Sequence, residues 1–110
     1  AFDAWLEGQR QPASAPQMQA QVDGQEVFMQ AGCAGCHAIR GTSASGEEGP
    51  DLTHLASRRT LAGATVPNRI GHLGGWITDP QHVKPGNKMP PSELTPEELK
   101  SLLAYLESLE

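Results

Sequence analysis

Long apolar runs are missing from this 110-residue chain. No stretch approaches the roughly 20 apolar residues that a helix needs to cross a bilayer, so direct membrane insertion by this segment is not expected. A cationic excess is missing too. Eight Lys and Arg against thirteen Asp and Glu leave a formal charge of −5, which argues against a nucleic-acid binder. Apolar residues make up only 37% of the chain and aromatics 5%, beside 12 Gly and 9 Pro, so a core built from protein alone would be thin. Alternating strand patterns and internal repeats are absent as well, which leaves an all-α reading. With neither an initiator methionine nor a signal-like start, the chain reads as mature or excised from something longer.

Cysteine is reduced to two residues, and both fall in Cys33-Ala34-Gly35-Cys36-His37. Two thiols three residues apart, followed at once by histidine, read as a c-type heme attachment site. Each thiol can form a thioether to one heme vinyl, and the histidine is placed to put a ring nitrogen on the iron. A structural disulfide, half of a zinc site and a thioredoxin-like redox pair share the Cys-x-x-Cys spacing. Zinc normally takes four Cys or His ligands at paired spacings, and there is no second pair here. A thioredoxin motif follows a strand in a βαβ context, and no such strand pattern precedes Cys33. The expected cofactor is therefore one covalent heme c. It would fill the thin core, so the apo chain should be largely unfolded. With both cysteines so used, their number says nothing about redox compartment.

A second axial ligand should come from later in the chain. Pro85-Gly86-Asn87-Lys88-Met89-Pro90-Pro91 offers Met89, held among prolines and a glycine just before a final helix. Such a loop presents a thioether better than it fills a core. His37 and Met89 are thus the expected metal ligands, a pair that raises the reduction potential and closes both axial positions to substrate.

Phe2 and Trp5 stand in a polar opening segment, and Gln9 to Gln21 is a Gln/Ala/Pro/Ser run with linker composition. The expected division is residues 1–22 as the tail of a preceding domain plus linker, and 23–110 as the folded domain. Asp23 can cap a helix with Glu26 reaching back, Phe28 and Ala31 facing inward, and the helix running into the cysteine motif. Gly41 to Gly49 reads as loop. Asn68 to Thr78 has helical spacing through Ile70, Leu73 and Trp76/Ile77, ended by Asp79-Pro80. The last helix is marked by Thr95 as N-cap, Pro96 at its first position and Glu98 completing a capping box. Leu99, Leu102, Leu103, Leu106 and Leu109 then form its apolar stripe. His54, His72 and His82 read as structural or exposed, and Met18 and Met29 as bystanders.

Between Gly24 and Leu109 the chain resembles class I cytochrome c. The likeness rests on the helix ending in Cys-x-x-Cys-His, a Gly-Pro-x-Leu segment, a Trp-containing helix, Pro-Gly-x-Lys-Met, and a last helix with Leu-x-Ala-Tyr-Leu. More narrowly it resembles the C-terminal cytochrome c domain of subunit II in caa-type heme–copper oxidases, through Gly49 to Leu55 and Trp76 to Gln81. The resemblance implies three or more short helices wrapped around a covalent heme. It also implies that Pro50 offers its carbonyl to the His37 ring, that Leu52 packs on the porphyrin, and that Arg58, or Arg59 beside it, holds a propionate. Trp76 would lie against the heme, and Asn68 stands where mitochondrial members carry tryptophan. Gly24 and Phe28 would meet Tyr105 and Leu102 where the first and last helices cross.

Function by this resemblance is electron transfer, without catalysis by the domain alone. A soluble donor such as a cytochrome c would supply the electron, and the dinuclear copper domain of a terminal oxidase would receive it. The place implied is the periplasmic or extracytoplasmic face of the membrane, within an anchored chain and beside other oxidase subunits. A free-standing soluble cytochrome and a heme sensor or peroxidase are the alternatives.

Overall fold

The computed structural model describes residues 2–110; Ala1, the first residue of the expected tail, lies outside them. Among the described residues the helices are α1 (Phe2–Arg10), α2 (Gln19–Gln30), α3 (Ile70–Thr78), α4 (Pro80–Val83) and α5 (Pro96–Glu107), with 3-10 turns at Cys33–Gly35 and Leu55–Ser57. The helical expectation holds. Its exception is a pair of two-residue antiparallel strands, β1 (Thr60–Leu61) and β2 (Val66–Pro67), with Thr60 opposite Pro67 and Leu61 opposite Val66. The turn between them puts Ala62, Gly63 and Ala64 in the left-handed region, a geometry that no residue preference in Ala-Gly-Ala announces.

The crossing of α2 and α5 forms the centre of the core. At the start of α5, Thr95 Oγ1 accepts from the Glu98 amide at 3.2 Å and Glu98 Oε1 accepts from the Thr95 amide at 2.9 Å. Two orphan donors are thereby satisfied, and Pro96 at the first helical position has none to satisfy. The helix then lays Leu102, Tyr105, Leu106 and the following Leu109 into the interior, with Leu99 and Leu103 packed at its border. From α2, Phe28 meets Tyr105 edge to face at 6.4 Å between ring centroids. Gly24 permits this approach. A Cβ there would collide with the Ser101 carbonyl and come within 2.7 Å of the Tyr105 Cβ. Each large apolar side chain so buried contributes about 2–3 kcal/mol, which makes this crossing the main frame on which the intervening loops hang.

The start of the chain differs from the reading of its sequence. The segment expected as tail and linker contains α1, and α2 begins at Gln19, four residues before the expected cap at Asp23. Gln21, not Glu26, reaches back, its Oε1 accepting from the amides of Met18 and Gln17 at 3.3 and 3.1 Å. Glutamine and alanine are good helix formers, so a Gln/Ala run continues a helix as readily as it links domains. As a result α2 runs across residue 22, where the tail was expected to end. Ala31 is exposed at the helix end rather than buried, because α2 has already closed with the Ala31 amide donating to Val27 O. Helix α3 starts at Ile70, not Asn68. Ile70 stays 53% exposed in its first turn while Leu73 and Ile77 enter the core.

Candidate functional site at the Cys33 to His37 turn

Gly32, at φ +88°, ends α2 and turns the chain into the 3-10 turn of Cys33–Gly35. The Cys36 and His37 amides both donate to Cys33 O, at 3.2 and 2.9 Å, which coils the motif tightly. The two thiols are free and half-buried. Cys33 packs against the core, and that burial pushes its thiol up from the ordinary value. A raised thiol is unlike the activated nucleophile of a redox pair. Among the described residues no three His, Cys, Asp or Glu side chains gather as a metal site, so the four-ligand cage that zinc wants is not built here.

The next segment folds back along this turn. Gly49 N donates to Cys36 O at 2.6 Å, Leu52 N to Ala38 O at 2.8 Å, and Arg40 N to Thr53 Oγ1 at 2.8 Å. Between these rungs His37 Nδ1 lies 2.8 Å from Pro50 O. A carbonyl only accepts, so Nδ1 must carry the proton, which leaves the Nε2 lone pair for a metal. The approach is close enough to need glycine. A Cβ on Gly49 would come within 2.7 Å of His37 Nδ1, and one on Gly46 within 2.6 Å of the Cys36 and His37 backbone nitrogens.

Asp51 anchors the returning segment. Its Oδ1 accepts from Thr53 N at 2.8 Å, its Oδ2 lies 3.6 Å from Arg40 Nε, and its carbonyl accepts from the Arg58 guanidinium. Partial burial pushes the carboxyl up, but the Thr53 hydrogen bonds and the charges of Arg40 and Arg58 outweigh it, and the net shift is downward. Arg58 is thereby tied to the residue between Pro50 and Leu52, a contact that Arg58 makes and Arg59 does not, and both side chains are exposed. Asn68 spends its side-chain donors on the carbonyls of Leu55 and Arg58, at 2.9 and 2.8 Å, so it fastens the loop.

Met89 comes from a braced loop. Its amide donates to Asn87 Oδ1 at 2.8 Å, Asn87 Nδ2 donates to Lys84 O at 2.6 Å, and Gln81 Nε2 donates to Asn87 O at 2.6 Å. Met89 packs half-buried against the same apolar cluster as Cys33 and Ala34, a cluster to which Leu52 belongs. The structure thus brings Cys33, Leu52 and Met89 to one apolar body, and Cys36, His37, Pro50 and Arg58 to one chain of polar contacts around the turn. Trp76 stands half-buried on α3, outside that body. His54 has a structural place, with Nδ1 2.9 Å from Glu110 O and Nε2 2.8 Å from Gln11 O, while His72 and His82 are exposed.

The model of the cytochrome c family matches residues 21–110. The chain belongs to the cytochrome c family. Membership brings a c-type heme and electron transfer as its chemistry. The residues present fit that group: two thiols free of any disulfide on one turn, and a histidine whose ring is held through Nδ1 with Nε2 left over, against glycines that give the ring its room. The chain is 38% identical over 109 residues to cytochrome c oxidase subunit 2 of Alkalihalophilus pseudofirmus, a match over 98% of this chain and 31% of that protein. It is 36% identical over 115 residues to the subunit of the same name from Bacillus sp. strain PS3, covering 98% of this chain and 32% of that one. The chain therefore spans about a third of the length of these relatives. The c-type cytochrome SorU of Sinorhizobium meliloti shares the fold, with a TM-score of 0.59 at 24% identity, over 84% of this chain and 93% of that one.

Proposed function

We propose that this cytochrome is an electron-transfer domain carrying one heme c, held by thioethers from Cys33 and Cys36 and ligated by His37 and Met89. The observation that carries the reading is His37 Nδ1 against the Pro50 carbonyl, which fixes the ring and frees Nε2 for iron. When bound, the heme supplies a one-electron couple. The protein's part is orientation. Pro50 O increases the basicity of the imidazole, Leu52 and Met89 present apolar surface beside Cys33, and Arg58 supplies a cation for a propionate. Closed axial positions keep reorganisation small and substrate out, so the domain is no catalyst alone.

A soluble donor protein such as a cytochrome c delivers the electron, and the dinuclear copper centre of a terminal oxidase takes it. The names and lengths of the relatives support this reading. The residues before α2 are then the tail of a preceding domain with its linker, and α2 through Glu110 the cytochrome domain, working on the extracytoplasmic face of a membrane beside other oxidase subunits. No described helix is long and apolar enough to cross that membrane. Exposed Lys84 and Lys88, near Met89 on an otherwise acidic chain, bias docking of the donor toward that edge.

Met89→Ala tests the ligation. Loss of the weak far-red sulfur-to-ferric-iron band, with a lower reduction potential, is the expected result, and an unchanged band assigns the sixth position elsewhere.

A further inference from the structure

Helix α1 is attached to the domain in an unusual way. None of its residues is buried, and Phe2 and Trp5 stack on each other while 68% and 59% exposed. An open cleft lies between it and the loop beyond Pro50, bordered by Trp5, Arg10, Arg40, Asp51 and Arg58. Apolar packing therefore does not hold α1. Polar contacts do, and most of them converge on Arg40. Its Nη1 and Nη2 donate to the carbonyls of Arg10 and Gln9 at 3.0 and 2.5 Å, which caps the free carbonyl end of α1 with a cation. Its own carbonyl accepts from Ala13 N at 2.8 Å. The third nitrogen, Nε, faces Asp51 Oδ2 at 3.6 Å, and Asp51 directly follows the residue whose carbonyl meets His37.

We propose that Arg40 is a positioning residue for the proximal histidine: it joins the carbonyl end of α1 to Asp51 and thereby fixes the Pro50 carbonyl on the His37 ring N–H. The guanidinium suits this because its donors point in fixed, coplanar directions, so one side chain hydrogen-bonds two carbonyls of α1 while its Nε stands in ion-pair contact with the Asp51 carboxylate. A lysine at the same place keeps the charge and loses the fork. Loosening the link lengthens the Pro50 to His37 hydrogen bond, makes the imidazole a poorer donor to ferric iron, and shifts the couple toward the reduced state. The proposal rests on His37 being the heme ligand.

The test compares the full heme-bearing chain with Arg40→Lys, reading two quantities. The first is exchange of the His37 Nδ1–H with deuterium, followed by NMR in the reduced, diamagnetic protein labelled with nitrogen-15 histidine. The second is the ratio of reduced to oxidised protein against a fixed reference couple. Exchange at least tenfold faster, together with a ratio about threefold higher, is expected. A purely electrostatic role for Arg40 predicts no change in either, since the charge is kept. A purely structural role predicts a lower melting temperature with exchange and ratio unmoved. Either result overturns the proposal. Asp51→Asn breaks the same link from the other end and must also speed exchange; wild-type exchange in that variant overturns the proposal even where Arg40→Lys does not fold. A wild-type His37 ring lacking the large upfield shift of a heme-bound imidazole defeats the ligation itself, a failure distinct from that of Arg40.

Discussion

Replacing Gly24 with alanine puts a methyl group where α2 and α5 leave no space. The new Cβ collides with the Ser101 carbonyl and stands 2.7 Å from the Tyr105 Cβ, both atoms of α5 that no rotamer change can move. The helices must move apart, at the point where Phe28, Leu102 and Tyr105 are at most 1% exposed. Overpacking of this kind costs about 1–3 kcal/mol and occasionally more, and a rigid backbone neighbour places this site at the upper end. Alanine returns about 1 kcal/mol of helix propensity over glycine. A net loss of about 2 kcal/mol or more remains, which for a chain of this length lowers the melting temperature by roughly 8–15 °C. Thermal unfolding of the heme-bearing protein, followed by circular dichroism at the helix band, measures it. A Gly24→Ala melting temperature within 2 °C of wild type, or above it, would refute the reasoning, because the crossing would then have slack that the geometry denies (about 0.5 kcal/mol by the same conversion).

Gly49→Ala should displace the His37 ring, since its Cβ would lie 2.7 Å from Nδ1; a low-spin spectrum like that of wild type would show that the ring tolerates the methyl. Acid stability carries a second signature. The Asp51 carboxyl is held below its ordinary value in the folded state by Thr53, Arg40 and Arg58 against the opposing push of burial, so its contribution is present above the unfolded value of about 4 and is lost as pH falls through the folded one. Urea midpoints taken from pH 5 to pH 3 should therefore fall less steeply for Asp51→Asn than for wild type, and parallel slopes contradict the assignment. Cys33→Ala/Cys36→Ala made without heme should show little helix by circular dichroism; native-like helicity would mean that the buried α2 and α5 residues suffice alone.

The sequence made α5 legible to the residue, because Thr95, Pro96 and Glu98 are local signals read within one turn. The α2 to α5 crossing was legible only through the family resemblance, since nothing local says which residues Gly24 will meet. The Pro50 carbonyl was nameable for the same reason, whereas Met89 was legible from its own proline- and glycine-bounded loop downstream of the heme motif. The docked N-terminal segment was not legible. Met18 offers no side-chain cap, so the true start of α2 carries no sequence mark, and the Gln/Ala run serves helix and linker equally. Arg40 was invisible because its acceptors are backbone carbonyls some thirty residues away, and backbone acceptors leave no residue type to recognise.

In the proposed function a single heme, closed at both axial positions, does nothing but pass one electron. A reductive titration of the heme-bearing chain, run with and without carbon monoxide, tests it most directly. One one-electron wave whose midpoint and spectrum are the same in both gases is the result predicted. A midpoint raised by carbon monoxide, with a new carbonyl spectrum, would show an open iron and would make this domain a sensor or a catalyst instead.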